Sequence, residues 1–317
     1  MSAYNLLDLS QVPVPDIIEA LDFEHIYQQL KDQLLAINPD YQEVLALESE
    51  PMAVLLQSFA YRELLLRAQI NDATRANMLA SATGNDLENI GSRYNVARLV
   101  VQEADESTTP VTAQILEDDT SYRRRIQMAF NGLNTAGSEN SYIFHALSAD
   151  NRVADADVVS PQPSDIVLTI LSKESTDGIA SDDLLIKVRN YFGLSDDGSS
   201  LLVTADSENP VHGVRPLGDR LTIKSAGVQN YQIQAEISLL AGPGKENTLA
   251  LVNEALAAYT RENQILGKKV TLLGIYTALN QVGVDSVNLL QPTQDIQVAS
   301  DQIAYCSDII LTEASNG

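Results

Sequence analysis

Residues 48–81 read ESEPMAVLLQSFAYRELLLRAQINDATRANMLAS, and this stretch predicts one long helix from about residue 51 to residue 81. Ser49 can cap the helix, and Pro51 suits its first turn because the missing N–H would have no helical partner there. The interior is rich in Leu, Ala, Arg and Met, which are strong helix formers. We expect the helix to end at Thr83-Gly84, where glycine can adopt a left-handed conformation.

The apolar side chains of this helix exceed what one helical face requires. Four of them follow one another at spacings of four, seven and four and so form one stripe, while other leucines point elsewhere. A helix that packs only within its own domain usually carries a single stripe. We therefore expect this helix to contact its own domain on one side and a second subunit on the other; the alternative is a helix fully buried in one domain. The predicted interface residues are Leu55, Leu56, Phe59, Leu64, Leu65, Leu66 and Ile70.

Two shorter amphipathic helices flank the long one. Residues 22–37 carry apolar side chains at helical spacing, and Asn38-Pro39 should end this helix because the residue before proline avoids helical angles. A second short helix, carrying Leu87 and Ile90, should follow Gly84. Together these patterns predict an N-terminal helical domain over residues 1–101.

An acidic stretch follows this domain. Residues 102–120 contain acidic side chains but no Lys or Arg, and the run STTP at 107–110 would interrupt a helix. We interpret 102–120 as a connector between domains. Residues 111–116 are apolar enough to become ordered against a neighbouring element.

The remaining residues, 121–317, mix helical and strand patterns. Apolar residues alternate over 231–240, as in a strand with one buried face, and 246–262 has the period of an amphipathic helix. The predicted fold class is therefore α+β, with an N-terminal helical domain followed by α/β modules that contain small mixed sheets.

A weak internal similarity relates two parts of this region. Residues 146–166 and 278–296 share short apolar pairs and a proline at offsets that drift from 132 to 130 residues. Duplication would give two related modules, at about 121–215 and 216–317, and the alternative is coincidence.

The charge balance of the 317-residue chain is strongly acidic. It carries 43 acidic and 20 basic residues, a formal net charge of −23. General binding to nucleic acid is disfavoured, because such binding depends on Lys and Arg at phosphates. No apolar run approaches the roughly 18–20 residues that span a bilayer, so we expect no membrane contact. Solubility is the simplest explanation of the acidity, and a specific basic partner is the alternative.

Residue types that carry chemistry occur without a recognisable arrangement. His25, His145 and His212 are far apart and lack the spacing of metal ligands, and Cys306 is the only cysteine. The run GPGK at 242–245 lacks the spacing of a phosphate-binding loop. The basic run at 123–125 would fan around a helix and neutralise the acidic connector. We therefore expect no catalytic residue, no cofactor and no metal, and a protein that is not an enzyme.

A set of short motifs spans most of the chain in a specific order. They are ESEP at 48–51, AYRE at 60–63, RAQINDA at 67–73, ATGNDLE at 82–88, SYRRRI at 121–126, AGS at 136–138 followed by Tyr142, RPLGD at 215–219 and GV at 283–284. In these motifs the chain resembles the baseplate J-like proteins of contractile phage tails. It departs from them at Glu50 and Glu88, where Asp is frequent, and at Ser164, where a glycine is expected after Pro163.

The resemblance implies a structural wedge component. Copies would pair with each other, join a smaller wedge protein and contact neighbouring baseplate proteins in the inner ring around the tail tube. Such a protein is made in the host bacterial cytoplasm and becomes part of a virion tail baseplate or a tail-like particle. The family implies no catalytic residues. The alternatives are a tail fibre or adhesin-type binding protein and, less favoured, a cell-wall hydrolase.

Overall fold

A computed structural model describes residues 6–13, 15, 17, 19–107, 110–134, 137–203, 213–240 and 245–313. The chain forms two compact units, and the division between them falls between Ala97 and Arg98.

The smaller unit is helical. Asp22 begins its first helix by accepting a hydrogen bond from the His25 amide at 3.0 Å. The first and third helices pack together around a core of Ile26, Tyr27 and Ala60. The helices are α1 (Phe23–Ile37), α2 (Gln42–Leu45), α3 (Pro51–Ala76) and α4 (Gly84–Ser92).

The long helix α3 is shorter than the sequence predicts, because the turn after Ala76 is stabilised locally. The Asn77 side chain donates to the Ala73 carbonyl at 2.9 Å, and the Ser81 hydroxyl donates to the Arg75 carbonyl at 2.8 Å. These bonds satisfy carbonyls that the helix end leaves unpaired. The prediction of Ser49 as the cap is wrong, since Glu50 holds that position and makes no side-chain cap bond. Gly84 is left-handed, at φ +51°, but it begins α4 instead of ending α3.

The larger unit mixes helices with small sheets, so the chain is α+β as predicted. Its elements are β1 (Val100–Gln102), β2 (Ile115–Leu116), α5 (Asp119–Gly132), α6 (Glu139–Ala149), β3 (Val153–Gln162), β4 (Asp165–Ser172), α7 (Asp182–Tyr191), β5 (Arg220–Ser225), β6 (Gly227–Leu239), α8 (Lys245–Glu262), α9 (Leu272–Leu279), β7 (Val284–Gln291) and β8 (Gln302–Glu313).

Residues 102–107 and 110–120 belong to the larger unit and include strand β2. Strand β2 pairs antiparallel with β1, and the Glu117 carboxylate accepts the Leu99 amide at 3.1 Å. The described part of this acidic stretch is thus held by backbone pairing and by its own carboxylates.

The first mixed sheet has the order β3-β4-β5. Strands β3 and β4 are antiparallel and joined by a turn at Pro163-Ser164, whereas β4 and β5 are parallel. Because β5 completes this sheet, the sheet extends past the module boundary at 215/216 that the sequence suggests.

The second mixed sheet has the order β7-β6-β8. The central strand β6 is antiparallel to β7 and parallel to β8. As the alternation predicts, Ile233, Ala235 and Ile237 are buried, and they pack in a core with residues of α8 and α9.

The two similar stretches of sequence both contain a helix followed by a strand, α6–β3 and α9–β7. Beyond that pair the topologies differ. Strand β3 pairs directly with β4, whereas β6 lies between β7 and β8, and Ile296 forms an isolated bridge with Val270.

Candidate assembly interface

One side of α3 packs into the core of the smaller unit. Ala53, Ala60 and Asn71 on this side are buried. Leu56 and Leu64 pack against the cluster formed with α1, so these two predicted interface residues are partly buried within their own unit.

The other five predicted residues are exposed. Between 44% and 56% of each side chain is accessible to solvent. Leu55, Phe59, Leu66 and Ile70 fall within an arc of about 60° at 100° per residue. We call these four residues the front stripe.

A second exposed group lies on the opposite flank of α3. Val54 and Tyr61, which the sequence analysis missed, are exposed together with Leu65. At 100° per residue these three fall within an arc of about 40°, roughly 130° away from the front stripe. We call them the flank stripe. Their spacing of seven and four is the signal that could have identified them, because it matches the spacing within the front stripe.

The charges on α3 differ from those of the whole chain. The helix carries Arg62, Arg67 and Arg75 against Glu63 and Asp72, so it is not acidic, although the chain carries −23. Arg67 forms ion pairs with Glu63 at 2.6 Å and with Glu19 at 2.8 Å. The exposed apolar stripes therefore lie on a helix that would not repel another acidic subunit.

A segment preceding α1 borders the front stripe. Asn71 accepts a hydrogen bond from the Glu19 amide at 3.2 Å and donates one to the Glu19 carbonyl at 2.9 Å. Ile17 and Glu19 consequently line a groove together with Leu66 and Ile70.

The family motifs from distant parts of the larger unit meet at one place. The Tyr142 hydroxyl donates to the Asp219 carboxylate at 2.6 Å. Arg215 donates to the carbonyls of Pro216 and Asp219. Gly137 has φ +72°, and a Cβ there would lie 2.9 Å from a side-chain carbon of Pro216. These residues therefore join the loop before α6 to the loop before β5.

Burial and the neighbouring Asp219 carboxylate raise the pKa of Tyr142 above its ordinary value. The hydroxyl keeps its proton and acts as a hydrogen-bond donor. The motif residues thus support the fold, and nothing in their geometry calls for chemistry.

The basic run at the start of α5 separates into individual contacts, as the helical geometry predicts. Arg125 pairs with Glu117 at 2.6 Å, and both side chains are only 5% exposed. Arg124 instead pairs with Asp155 of β3 at 2.5 Å. The predicted neutralisation of the acidic stretch therefore holds for Arg125 and is wrong for Arg124.

The residue types considered for catalysis are dispersed. His25 is exposed on α1, and His145 packs in an aromatic cluster where burial lowers its pKa. Burial raises the pKa of Cys306, which disfavours the reactive thiolate. His212 and the turn at 242–244 lie outside the described residues. Within the part of the chain that the structure describes, no group of three or more His, Cys, Asp or Glu could hold a metal ion.

Among the described residues, no helix is both long enough and apolar enough to cross a bilayer.

The exposed apolar stripes of α3 are typical of a protein that acts through contacts with other proteins. Comparison with protein families gives matches to the Baseplate J-like N-terminal domain at residues 48–105, the Baseplate J-like central domain at 134–225 and the Baseplate J-like protein C-terminal domain at 231–312. Baseplate protein J of Escherichia phage P2 is 43% identical over 308 residues, covering 96% of each chain.

The chain therefore belongs to the baseplate J-like family and is a structural component of a phage tail baseplate. This confirms the resemblance seen in the short motifs, and membership favours a non-enzymatic role. The chain also aligns with a chain in the cryo-EM structure of the anti-feeding prophage (AFP) baseplate, 6-fold symmetrised. That alignment covers 90% of this chain and 53% of the other at 11% identity and a TM-score of 0.30, a score on which no argument rests.

Proposed function

We propose that this protein is a wedge component of a contractile phage tail or a tail-like injection device. In this proposal two copies pair, bind a smaller wedge protein and form the inner baseplate ring around the tail tube, after synthesis in the host cytoplasm. The observation that carries the proposal is the pair of exposed apolar stripes on α3.

The front stripe is suited to pairing with a second copy because it is symmetric about its own centre. Antiparallel packing of two α3 helices centred between Arg62 and Glu63 would place Leu55 opposite Ile70 and Phe59 opposite Leu66. It would also place Arg62 of one copy opposite Glu63 of the other. A self-complementary surface of this kind is what a twofold interface requires.

Burial of the stripe would supply the free energy of association. Fully burying a Leu, Ile or Phe side chain contributes about 1.5–3 kcal/mol, and these four side chains are about half exposed. The flank stripe, on a different side of the helix, would remain free to bind the smaller wedge protein. A baseplate could then change state by exchanging one arrangement of such contacts for another.

Three consecutive leucines on α3 allow a matched test, because each occupies a different side of the helix. Leu66→Glu alters the front stripe, Leu65→Glu alters the flank stripe and Leu64→Ala truncates a partly buried residue. Sedimentation velocity over a range of concentrations measures pairing, and urea denaturation measures stability. Incorporation into tails measures assembly.

We expect Leu66→Glu to weaken pairing by at least about tenfold with little change in the unfolding midpoint. Leu65→Glu should pair normally but fail to enter tails. Leu64→Ala, at a partly buried position, should lose folding stability, by less than the about 2–5 kcal/mol that truncation of a fully buried leucine costs. The proposal is overturned if the wild-type protein does not pair, or if Leu66→Glu pairs as the wild type does.

A further inference from the structure

The C-terminal sheet has a groove along one edge that is lined by both apolar and polar side chains. Strand β7 pairs with β6 on one side, and on its other side no strand pairs with it among the described residues. Helix α9 lies beside β7 and exposes Leu273 and Tyr276, with 77% of Leu273 accessible. These two side chains line the groove together with Val284 and Val287 of β7.

The edge of β7 lacks some of the features that usually block strand addition. Exposed edge strands are normally protected by charged side chains, especially Lys, by Pro, by β-bulges, by a short length or by a covering element. Strand β7 is eight residues long, has no Lys or Pro and carries Asp285 as its one charge; its pairing with β6 shifts register near both ends and is regular from Ser286 to Leu289. An extended chain could therefore hydrogen bond along this edge while its side chains enter the groove.

The charged residues that follow Lys269 in the sequence are all acidic. From Val270 to the last residue the sequence has no Lys or Arg, but it has Asp285, Asp295, Asp301, Asp308 and Glu313. Four of these five accept hydrogen bonds or pair with cations elsewhere in the chain.

Asp285 is the exception. It is exposed on β7, lines the groove, and makes no ion pair or side-chain hydrogen bond with any other residue that the structure describes. Its charge is therefore available to a partner.

We propose that the β7 edge binds an extended basic segment of another protein, which adds a strand to the sheet. Apolar side chains of that segment contact Leu273 and Tyr276, and a Lys or Arg approaches Asp285, which lines the same groove. A second copy of this chain is a poor occupant, because it would bring another −23 charge and another Asp285 to the same edge. This surface is independent of α3 and lies in a different compact unit.

The test uses the full-length protein and a synthetic peptide, acetyl-Lys-Val-Arg-Ile-Lys-Val-Thr-amide. The control peptide has Glu in place of each Lys and Arg. Fluorescence anisotropy measures affinity, and hydrogen exchange locates the contact. Leu273→Glu alters the groove, whereas Leu251→Glu alters an exposed leucine of α8 outside it and serves as the matched control.

We expect the basic peptide to bind more tightly than the acidic one and to slow exchange in residues 284–291. Leu273→Glu should weaken binding at least about tenfold and Leu251→Glu should not. Asp285→Lys should lower the affinity for the basic peptide and raise the affinity for the acidic peptide. The Leu66→Glu variant should bind the basic peptide with wild-type affinity. Failure of α3 pairing and failure of peptide binding at β7 can therefore be distinguished. The proposal is overturned if the acidic peptide binds equally well, if residues 284–291 gain no protection, or if both leucine variants behave alike.

Discussion

The side-chain amide of Asn71 binds both backbone polar groups of Glu19, 52 positions earlier in the chain. Asn71 is buried in α3, where an unpaired amide would cost free energy. By accepting from the N–H and donating to the carbonyl, it acts toward Glu19 as a neighbouring strand would. This contact holds the segment before α1 against α3 and so shapes the groove beside the front stripe.

Replacing Asn71 should release that segment. Asn71→Leu keeps the branching and the number of heavy atoms of the side chain but removes both hydrogen bonds, so the free energy of unfolding should fall by about 1–3 kcal/mol. Hydrogen exchange at the Glu19 amide should become fast. Asn77→Leu is the control, because Asn77 is exposed and bonds only within its own helix. Equal exchange at Glu19 in both variants would contradict the role given to Asn71.

The buried ion pair between Glu117 and Arg125 should contribute far more to stability than an exposed pair. Glu117→Gln removes the carboxylate that pairs with the buried Arg125 side chain, and breaking a buried ion pair in this way typically costs about 3–5 kcal/mol. Asp165→Asn breaks the exposed pair with Arg220 and should cost at most about 1 kcal/mol. Urea denaturation of both variants measures the difference. Similar losses in the two variants would show that the buried pair is not special.

Tyr142 should make the protein sensitive to alkaline pH. Because its pKa is raised in the folded state, the unfolded chain loses the tyrosine proton first as the pH rises past the ordinary value of about 10. The stabilisation from Tyr142 is therefore complete below that pH and declines above it.

Tyr142→Phe should consequently be less stable than wild type at pH 7, by about 1–3 kcal/mol, and lose less further stability between pH 7 and pH 10.5. Urea midpoints at the two pH values provide the measurement. Tyr276→Phe removes the hydroxyl of an exposed tyrosine and is the control variant. A Tyr142→Phe profile parallel to that of wild type would rule out this assignment of the alkaline loss.

The turn between β3 and β4 retains its geometry although serine replaces the expected glycine. Ser164 has φ +66° after Pro163, which is the conformation that a type II turn requires at its third residue. A left-handed conformation costs a non-glycine residue about 1–2 kcal/mol. The greater entropy of glycine in the unfolded chain offsets about 0.4–1 kcal/mol of that.

Ser164→Gly should therefore raise the free energy of unfolding by roughly 0.5–1 kcal/mol, the difference between the left-handed cost and the entropy of glycine. Ser58→Gly, within α3, should lower it by a similar amount, because glycine weakens a helix interior. Thermal and urea unfolding of the two variants would show whether the free energy of unfolding rises in one and falls in the other. A lower free energy of unfolding in both variants would mean that Ser164 is not strained.

Local sequence patterns predicted the elements in which the spacing of apolar residues, or a capping residue, is enough to indicate the buried face or the end of the element. The alternation at Ile233, Ala235 and Ile237 defines one buried face of β6, and Asp22 with Asn38-Pro39 defines the ends of α1. Strand β8 was missed because Ser307 forms a bulge against β6 and because Ile303 and Ala304 are both buried although adjacent. Its strand conformation depends on pairing with β6, which no local pattern reveals.

The candidate interface was predicted only in part for a related reason. Leu64, Leu65 and Leu66 are identical residues in sequence, and only the packing of α1 decides which of them faces inward. The link between Asn71 and Glu19 has no local signal at all. The sequence therefore indicates that α3 has more apolar surface than its unit needs, but the structure is required to assign each leucine to a side.

Gly137 offers a test of how tightly the family motifs are joined. Its φ of +72° disfavours any side chain, and a Cβ would lie 2.8 Å from the Asp219 carboxylate and 2.9 Å from Pro216. Gly137→Ala should therefore suffer both backbone strain and steric conflict, and its stability should fall by more than the roughly 1–2 kcal/mol of strain alone. The Tyr142–Asp219 hydrogen bond should also weaken, since Asp219 must move.

Substitutions at two other glycines distinguish the backbone strain from the steric conflict. Gly84 shares the positive φ, at +51°, but a Cβ there meets no atom within 4 Å, so Gly84→Ala measures strain alone. Gly218 lies in the same motif as Asp219, lacks the positive φ and is also open, so Gly218→Ala should be nearly neutral. Urea denaturation should rank the losses as Gly137 above Gly84 above Gly218. If Gly137→Ala loses no more folding stability than Gly84→Ala, then the loops that carry Gly137 and Asp219 can move apart without a loss of stability. In that case the contacts between these motifs do not stabilise the larger unit.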